Sequence, residues 1–151
     1  MKKLCIIGFL IVSILGVIFH FMYEYLPIFI FPKNESIFEH TKLIIIPMLI
    51  YLFIVIFCVE NKKKIFASFI SSILIGIFIT VVSYYTYYGM LGFSVDWLNI
   101  VIYFISVFSM FYYIYKNKTL FGFTNSVVIM IIILILLFVF TYYPLNIGFF
   151  S

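Results

Sequence analysis

Five long apolar runs, each closed by a short polar or turn-forming stretch, organise the chain. They cover about residues 4–26, 38–59, 65–88, 97–115 and 123–143. Each is near the roughly 20 apolar residues a helix needs to cross a bilayer. The breaks are marked by "PIFIFPKNES", with its prolines, by the charged "ENKKK" at 60–64, by the glycines of "GMLGFSVD" at 89–96, and by "KNKTLFGFTN" at 116–125. The pattern predicts an all-α fold, a polytopic integral membrane bundle of five transmembrane helices forming a single domain over residues 1–151. The first run follows "MKK", as a signal peptide would. No small-residue cleavage site follows it and it is long enough to span, so it reads as an uncleaved helix.

Composition sharpens this reading. Of 151 residues, 67% are hydrophobic and 9% charged, with mean hydropathy +1.32. A water-soluble domain keeps about a quarter of its residues charged. This chain lacks the polar surface to face water, so the lipid bilayer is its first partner. The net charge of +4 is no nucleic-acid signal, because the basic residues, all lysines, sit in short breaks where they set topology. With the N-terminus inside, Lys2, Lys3, Lys62, Lys63, Lys64, Lys116 and Lys118 are cytoplasmic, and only Lys33 and Lys42 are outside. The positive-inside rule therefore predicts N-terminus in, C-terminus out, in a cell membrane. Tyr23, Tyr25, Tyr84 to Tyr88, Trp97, Tyr142 and Tyr143 then form an outer aromatic belt. Cys5 and Cys58 fall at inner ends, in a reducing compartment, where no structural disulfide is expected.

This topology gathers Glu24, Glu35, Glu39, Asp96 and both histidines on the extracytoplasmic side. Most of them crowd the first junction, where "FPKNESIFEHTK" (31–42) interrupts an otherwise apolar chain. His20 lies about 25 Å along a straight helix from Lys3, just below the outer boundary. Glu24 is one turn further on the same face. His40, early in the second helix, reaches a similar depth, so contact between the imidazoles is expected. Ser36 and Glu39 fit the capping box S-x-x-E, in which each side chain satisfies the other residue's backbone N–H. Lys42 shares a stripe with Glu39 and Glu35 and is expected to form an ion pair. Asn34 suits a cap or turn. Pro47 should kink the second helix, and Ser94 or Asp96 should cap the fourth. His20, Glu24 and His40, with Glu35 or Glu39 at the rim, have the composition of a two-histidine, carboxylate site for a divalent metal. A proton-handling site, a ligand site or a purely structural polar network are the other readings. No cofactor is otherwise predicted.

"HFMYE" (20–24), "NESIFEHTKL" (34–43) with Pro47, "YYTYYGMLG" (84–92) and "WLNIVIYFISV" (97–107) resemble an uncharacterised family of small bacterial multi-pass membrane proteins. Its hallmark is an Asn-Glu-Ser-x-aromatic-Glu-His-x-Lys box after His-Phe-x-Tyr-Glu. The resemblance implies that His20, Tyr23, Glu24, Asn34, Glu35, Ser36, Glu39, His40 and Lys42 belong to one shared feature, and it supplies no activity. Tyr25 and Phe38 stand where the family has tryptophan, Asn99 where it has aspartate, and the ending "YYPLNIGFFS" is shorter than the family's outer tail. "NESIFEH" is also faintly similar to the second helix of the progestin/adiponectin-receptor and ceramidase-like metal hydrolases. Those need later histidines, and none follows His40.

Three functions follow as expectations. The first is a non-enzymatic membrane protein whose outward polar pocket binds a membrane-protein partner, a second copy of the chain, a lipid headgroup or a small solute. The second is a membrane-embedded metal-assisted hydrolase or transferase. The third is a proton-coupled carrier, disfavoured because carriers show inverted repeats and midplane sites and this chain shows no repeat.

Overall fold

A computed structural model describes residues 2–22, 30–34 and 36–144. Among the described residues there are five helices, α1 (Lys2–Met22), α2 (Ile37–Val55), α3 (Lys62–Leu91), α4 (Asp96–Tyr115) and α5 (Phe123–Tyr142). All five are long and apolar enough to cross a membrane.

Local chemistry explains where the boundaries depart from the hydrophobic pattern. The predicted end of the first helix, at 23–26, lies outside the described residues. The second was expected to reach 59 but stops at Val55. There Phe57 and Cys58 donate back to Ile54 and Val55 carbonyls, at 3.3 and 2.8 Å, a tightened closing turn. Asn61 then caps α3, accepting the Lys64 N–H at 3.2 Å. Lys62, Lys63 and Lys64 therefore form the first turn of α3 rather than a loop. At its other end α3 runs through Gly89 to Leu91, past the predicted 88. It stops at Gly92, whose φ of +79° is left-handed and whose N–H bonds to the Tyr88 carbonyl, a glycine-dependent stop. Its 30 residues make a helix about 45 Å long. Neither Ser94 nor Asp96 caps α4: Val95 is the N-cap, with no side-chain bond. Asp96 opens the helix, where an acid complements the helix dipole.

Helices α1, α2, α3 and α4 close into a ring, and α5 lies outside it against α3. Successive helices run antiparallel, as their contacts show. The Tyr51 hydroxyl near the end of α2 donates to the Leu4 carbonyl at the start of α1, at 2.6 Å. Thr80 meets Ser106 at 2.9 Å across α3 and α4. Phe66 packs edge-on to Phe123 where α5 begins, with centroids 5.4 Å apart. Val12, Ile44, Met48, Ile70, Ile73, Val107 and Met110 fill the ring interior. The centre of gravity of this packing is α2, whereas α5 is the least buried of the five helices, as a lipid-facing helix would be.

One junction joins three helices. Pro47 has no N–H, so the Leu43 carbonyl loses its helical partner. That carbonyl faces Gly16 of α1, where an added Cβ would lie 2.8 Å from it and 2.0 Å from the Tyr103 hydroxyl of α4. Only the missing side chain lets α1, α2 and Tyr103 meet. The hydroxyl donates to Val12 and Ser13 carbonyls, at 2.9 and 3.3 Å. α2 continues as helix through Pro47.

The alternation separates charge. Lys2, Lys3, Lys62, Lys63, Lys64, Lys116 and Lys118 share one end of the bundle. His20, Lys33, Glu39, His40, Lys42 and Asp96 share the other.

Candidate polar site at the α1–α2 corner

The corner is built by the chain entering α2. Asn34 Oδ1 accepts the Ser36 N–H at 3.0 Å, a local turn that short polar side chains favour. Ser36 is the N-cap of α2 in extended conformation, and its Oγ accepts the Glu39 N–H at 3.3 Å. This is one arm of the predicted capping box. The other arm is absent, because Asn34 holds the Ser36 N–H. The Glu39 carboxylate turns elsewhere: its Oε2 accepts the Lys33 N–H at 2.7 Å and the Lys42 ammonium at 2.6 Å.

The Lys42–Glu39 pair is the most costly feature of the corner. The Lys42 side chain is 0% exposed and that of Glu39 4%. Two charges are seldom buried so completely unless each is paired. Here the pair spans one turn of α2, and Glu39 is held further by a loop N–H.

The imidazoles sit beside this pair. The ring centroids of His20, in the last turn of α1, and His40, in the first turns of α2, are 5.7 Å apart at a 44° tilt. Their expected proximity is therefore observed. His40 Nδ1 lies 3.0 Å from the Ser36 carbonyl. A carbonyl only accepts, so Nδ1 carries a proton and donates. Both rings are half-buried.

Neighbouring contacts hold the corner to the bundle. Phe31 packs edge-on to Phe19 with centroids 4.9 Å apart. Phe38 does the same to Phe140 of α5 at 5.9 Å. The Lys33 ammonium lies 4.0 Å above the Tyr142 ring, a cation–π contact. At the same end, Tyr87 of α3 donates to the Asn99 side chain of α4.

Of the sequence-predicted site residues, the structure brings His20, Asn34, Ser36, Glu39, His40 and Lys42 to this corner. Tyr23, Glu24 and Glu35 lie outside the described residues. Among the described residues no three His, Cys, Asp or Glu side chains group as a metal cluster. Sequence reasoning missed Lys33 and Tyr142, which nothing in a local pattern links, and the Tyr87–Asn99 bond. It also missed Gly16, although a glycine inside an apolar helix is a known signal of close approach.

The fold and its helix lengths define the class, a small multi-pass membrane protein built as an all-α bundle. Within that class the chain belongs to the family of unknown function DUF6512, whose family model matches residues 1–151. No curated protein and no solved structure matches it.

Proposed function

We propose that the protein is a non-enzymatic multi-pass membrane protein, oriented N-terminus in and C-terminus out, whose extracytoplasmic corner binds a lipid headgroup or small anionic solute. The observation that carries this reading is the mutual satisfaction of the corner's polar groups. Glu39 holds Lys42 and the Lys33 N–H, and Ser36 holds Glu39 and His40. An enzyme would turn such groups toward a reacting atom; here they build a rigid rim. Lys33 and Asn34 on that rim are exposed, and Lys33 presents its charge at the helix ends, where headgroups lie. The lysine-rich opposite end supports the orientation.

Two measurements test the reading. Single cysteines at Asn34 and Lys63, with Cys5 and Cys58 replaced by serine, are treated with an impermeant thiol reagent on intact cells. Labelling at Asn34 alone is expected, and labelling at Lys63 overturns the orientation. Native mass spectrometry of protein taken from phosphatidylglycerol-containing bilayers should show retained lipid, reduced in Lys33→Gln. Equal retention in both proteins removes the binding reading.

A further inference from the structure

We propose that the lysine-rich end of the bundle is a docking surface for the headgroups of anionic phospholipids. This goes beyond the corner reading, lies at the opposite end of the molecule and does not depend on it.

Charge is the first ground. Lys2, Lys3, Lys62, Lys63, Lys64, Lys116 and Lys118 are all exposed at this end, and Glu60 is the one acid of the sequence beside them. Seven lysines against one glutamate leave an excess of six positive charges. Among the described residues the ion pair is Lys42–Glu39, at the other end, and none of the seven lysines has a carboxylate partner. The turn into α3 lines an open recess with Glu60, Asn61, Lys62 and Lys63.

Placement is the second ground. Lys2 and Lys3 open α1, and Lys62, Lys63 and Lys64 open α3. A helix N-terminus carries partial positive charge, so a lysine in the first turn opposes the helix dipole. Helix stability does not account for these lysines. Orientation does not demand them there either, since the positive-inside bias counts lysines up to about 15–20 residues from a span. An anion held against them offsets the ammonium charge and the dipole together.

Depth selects the occupant. The length of α3, about 45 Å, exceeds a hydrocarbon core of about 30 Å, which leaves room for its lysine turn in the headgroup layer. The Lys116 ammonium lies 5.3 Å from the Tyr112 ring and 5.9 Å from that of Tyr115, and the Lys63 ammonium 5.9 Å from the Phe123 ring. These rings are exposed, and tyrosines at the ends of spans sit at headgroup level. The connections at 56–61 and 116–122 are short, so nothing lifts the charge into water, where a nucleic acid or an acidic protein would meet it. A cluster of about 4–8 basic residues beside a span is the pattern that gathers anionic lipid.

The full chain is reconstituted in equimolar phosphatidylglycerol and phosphatidylcholine, with one or the other lipid brominated on its acyl chains to quench any tryptophan it touches. Trp97, the single tryptophan, is exposed at the opposite end and reports there. Trp97→Phe with Leu120→Trp moves the reporter to an exposed position of the lysine end. At that position phosphatidylglycerol should be favoured about fivefold, the effect of one lysine near an anionic surface. Replacing Lys62, Lys63 and Lys64 with glutamine should lower the ratio, and adding Lys116→Gln and Lys118→Gln should bring it close to parity. The same changes should leave the Trp97 reporter unaffected. Circular dichroism checks the helix content of each protein, and the triple variant decides alone if the larger one does not fold. No preference at the lysine end, as for a surface that meets an acidic protein or a nucleic acid, overturns the proposal. So does a preference that the substitutions leave unchanged. Lys33→Gln should not alter this ratio, so failure here and failure of the corner reading are told apart.

Discussion

The buried Lys42–Glu39 pair makes an asymmetric prediction. Glu39→Gln removes the carboxylate charge and leaves the Lys42 ammonium, 0% exposed, with no anion among the described residues to replace it. Lys42→Met is the milder change. The carboxylate it leaves keeps the Lys33 N–H at 2.7 Å and sits in the first turn of α2, where the helix dipole favours negative charge. Breaking a buried pair by removing one partner costs about 3–5 kcal/mol. Glu39→Gln belongs at the top of that range and Lys42→Met at or below the bottom. In the double variant the glutamine still accepts the Lys33 N–H and the methionine fills the lysine stem's volume. Its cost should fall below that of Glu39→Gln alone, because replacing both members of a buried pair is often near neutral. Denaturant unfolding in mixed micelles, followed by far-ultraviolet circular dichroism, measures all four proteins of this cycle. Single costs that add to within about 0.5 kcal/mol in the double variant would mean the two residues act independently. So would a Glu39→Gln protein as stable as the parent. Either result refutes the reasoning.

Other expectations rest on single contacts. Ser36→Ala should destabilise by about 0.5–2 kcal/mol and Ser36→Asp should restore most of it, in the same unfolding assay. Gly16→Ala would put a methyl 2.0 Å from the Tyr103 hydroxyl and should cost about 1–3 kcal/mol. Tyr103→Phe in the same chain should recover only part, since the ring's Cζ at 2.6 Å and the Leu43 carbonyl at 2.8 Å both remain; equal costs in both backgrounds would deny the junction. Tyr87→Phe should cost about 0.5–1.5 kcal/mol through loss of its bond to Asn99, and an unchanged unfolding midpoint would show that bond to be idle.

The spans were legible because hydrophobic run length is a one-dimensional signal and bilayer thickness is a fixed ruler. Helix ends were less so. The lysines at 62–64 look like a loop by hydropathy, yet Asn61 recruits them into α3, and Gly92 rather than Gly89 supplies the left-handed stop. Much of the corner was also readable, since Ser36 capping Glu39 and Lys42 pairing with Glu39 are both i, i+3 relations along one helix. The carboxylate's turn to the Lys33 N–H was not, because it depends on Asn34 having already taken the Ser36 N–H. Contacts between elements distant in sequence, such as Lys33 on Tyr142 or Tyr103 against Gly16, leave no mark on any local pattern. They follow from which helices become neighbours, and the five apolar runs are too alike to say.

The outlying place of α5 has a consequence for the order in which the molecule is put together. The ring α1–α4 becomes whole when Tyr103 reaches the carbonyls of α1, and every one of its helices leaves the ribosome before α5, because synthesis runs from the N-terminus. α5 is thus the last of the five helices to be made. Its start is guided by Phe123 on Phe66 and its finish by Tyr142 beneath the Lys33 ammonium. The Lys33 ammonium of the corner therefore finds its aromatic partner, Tyr142, only once the last helix has been made.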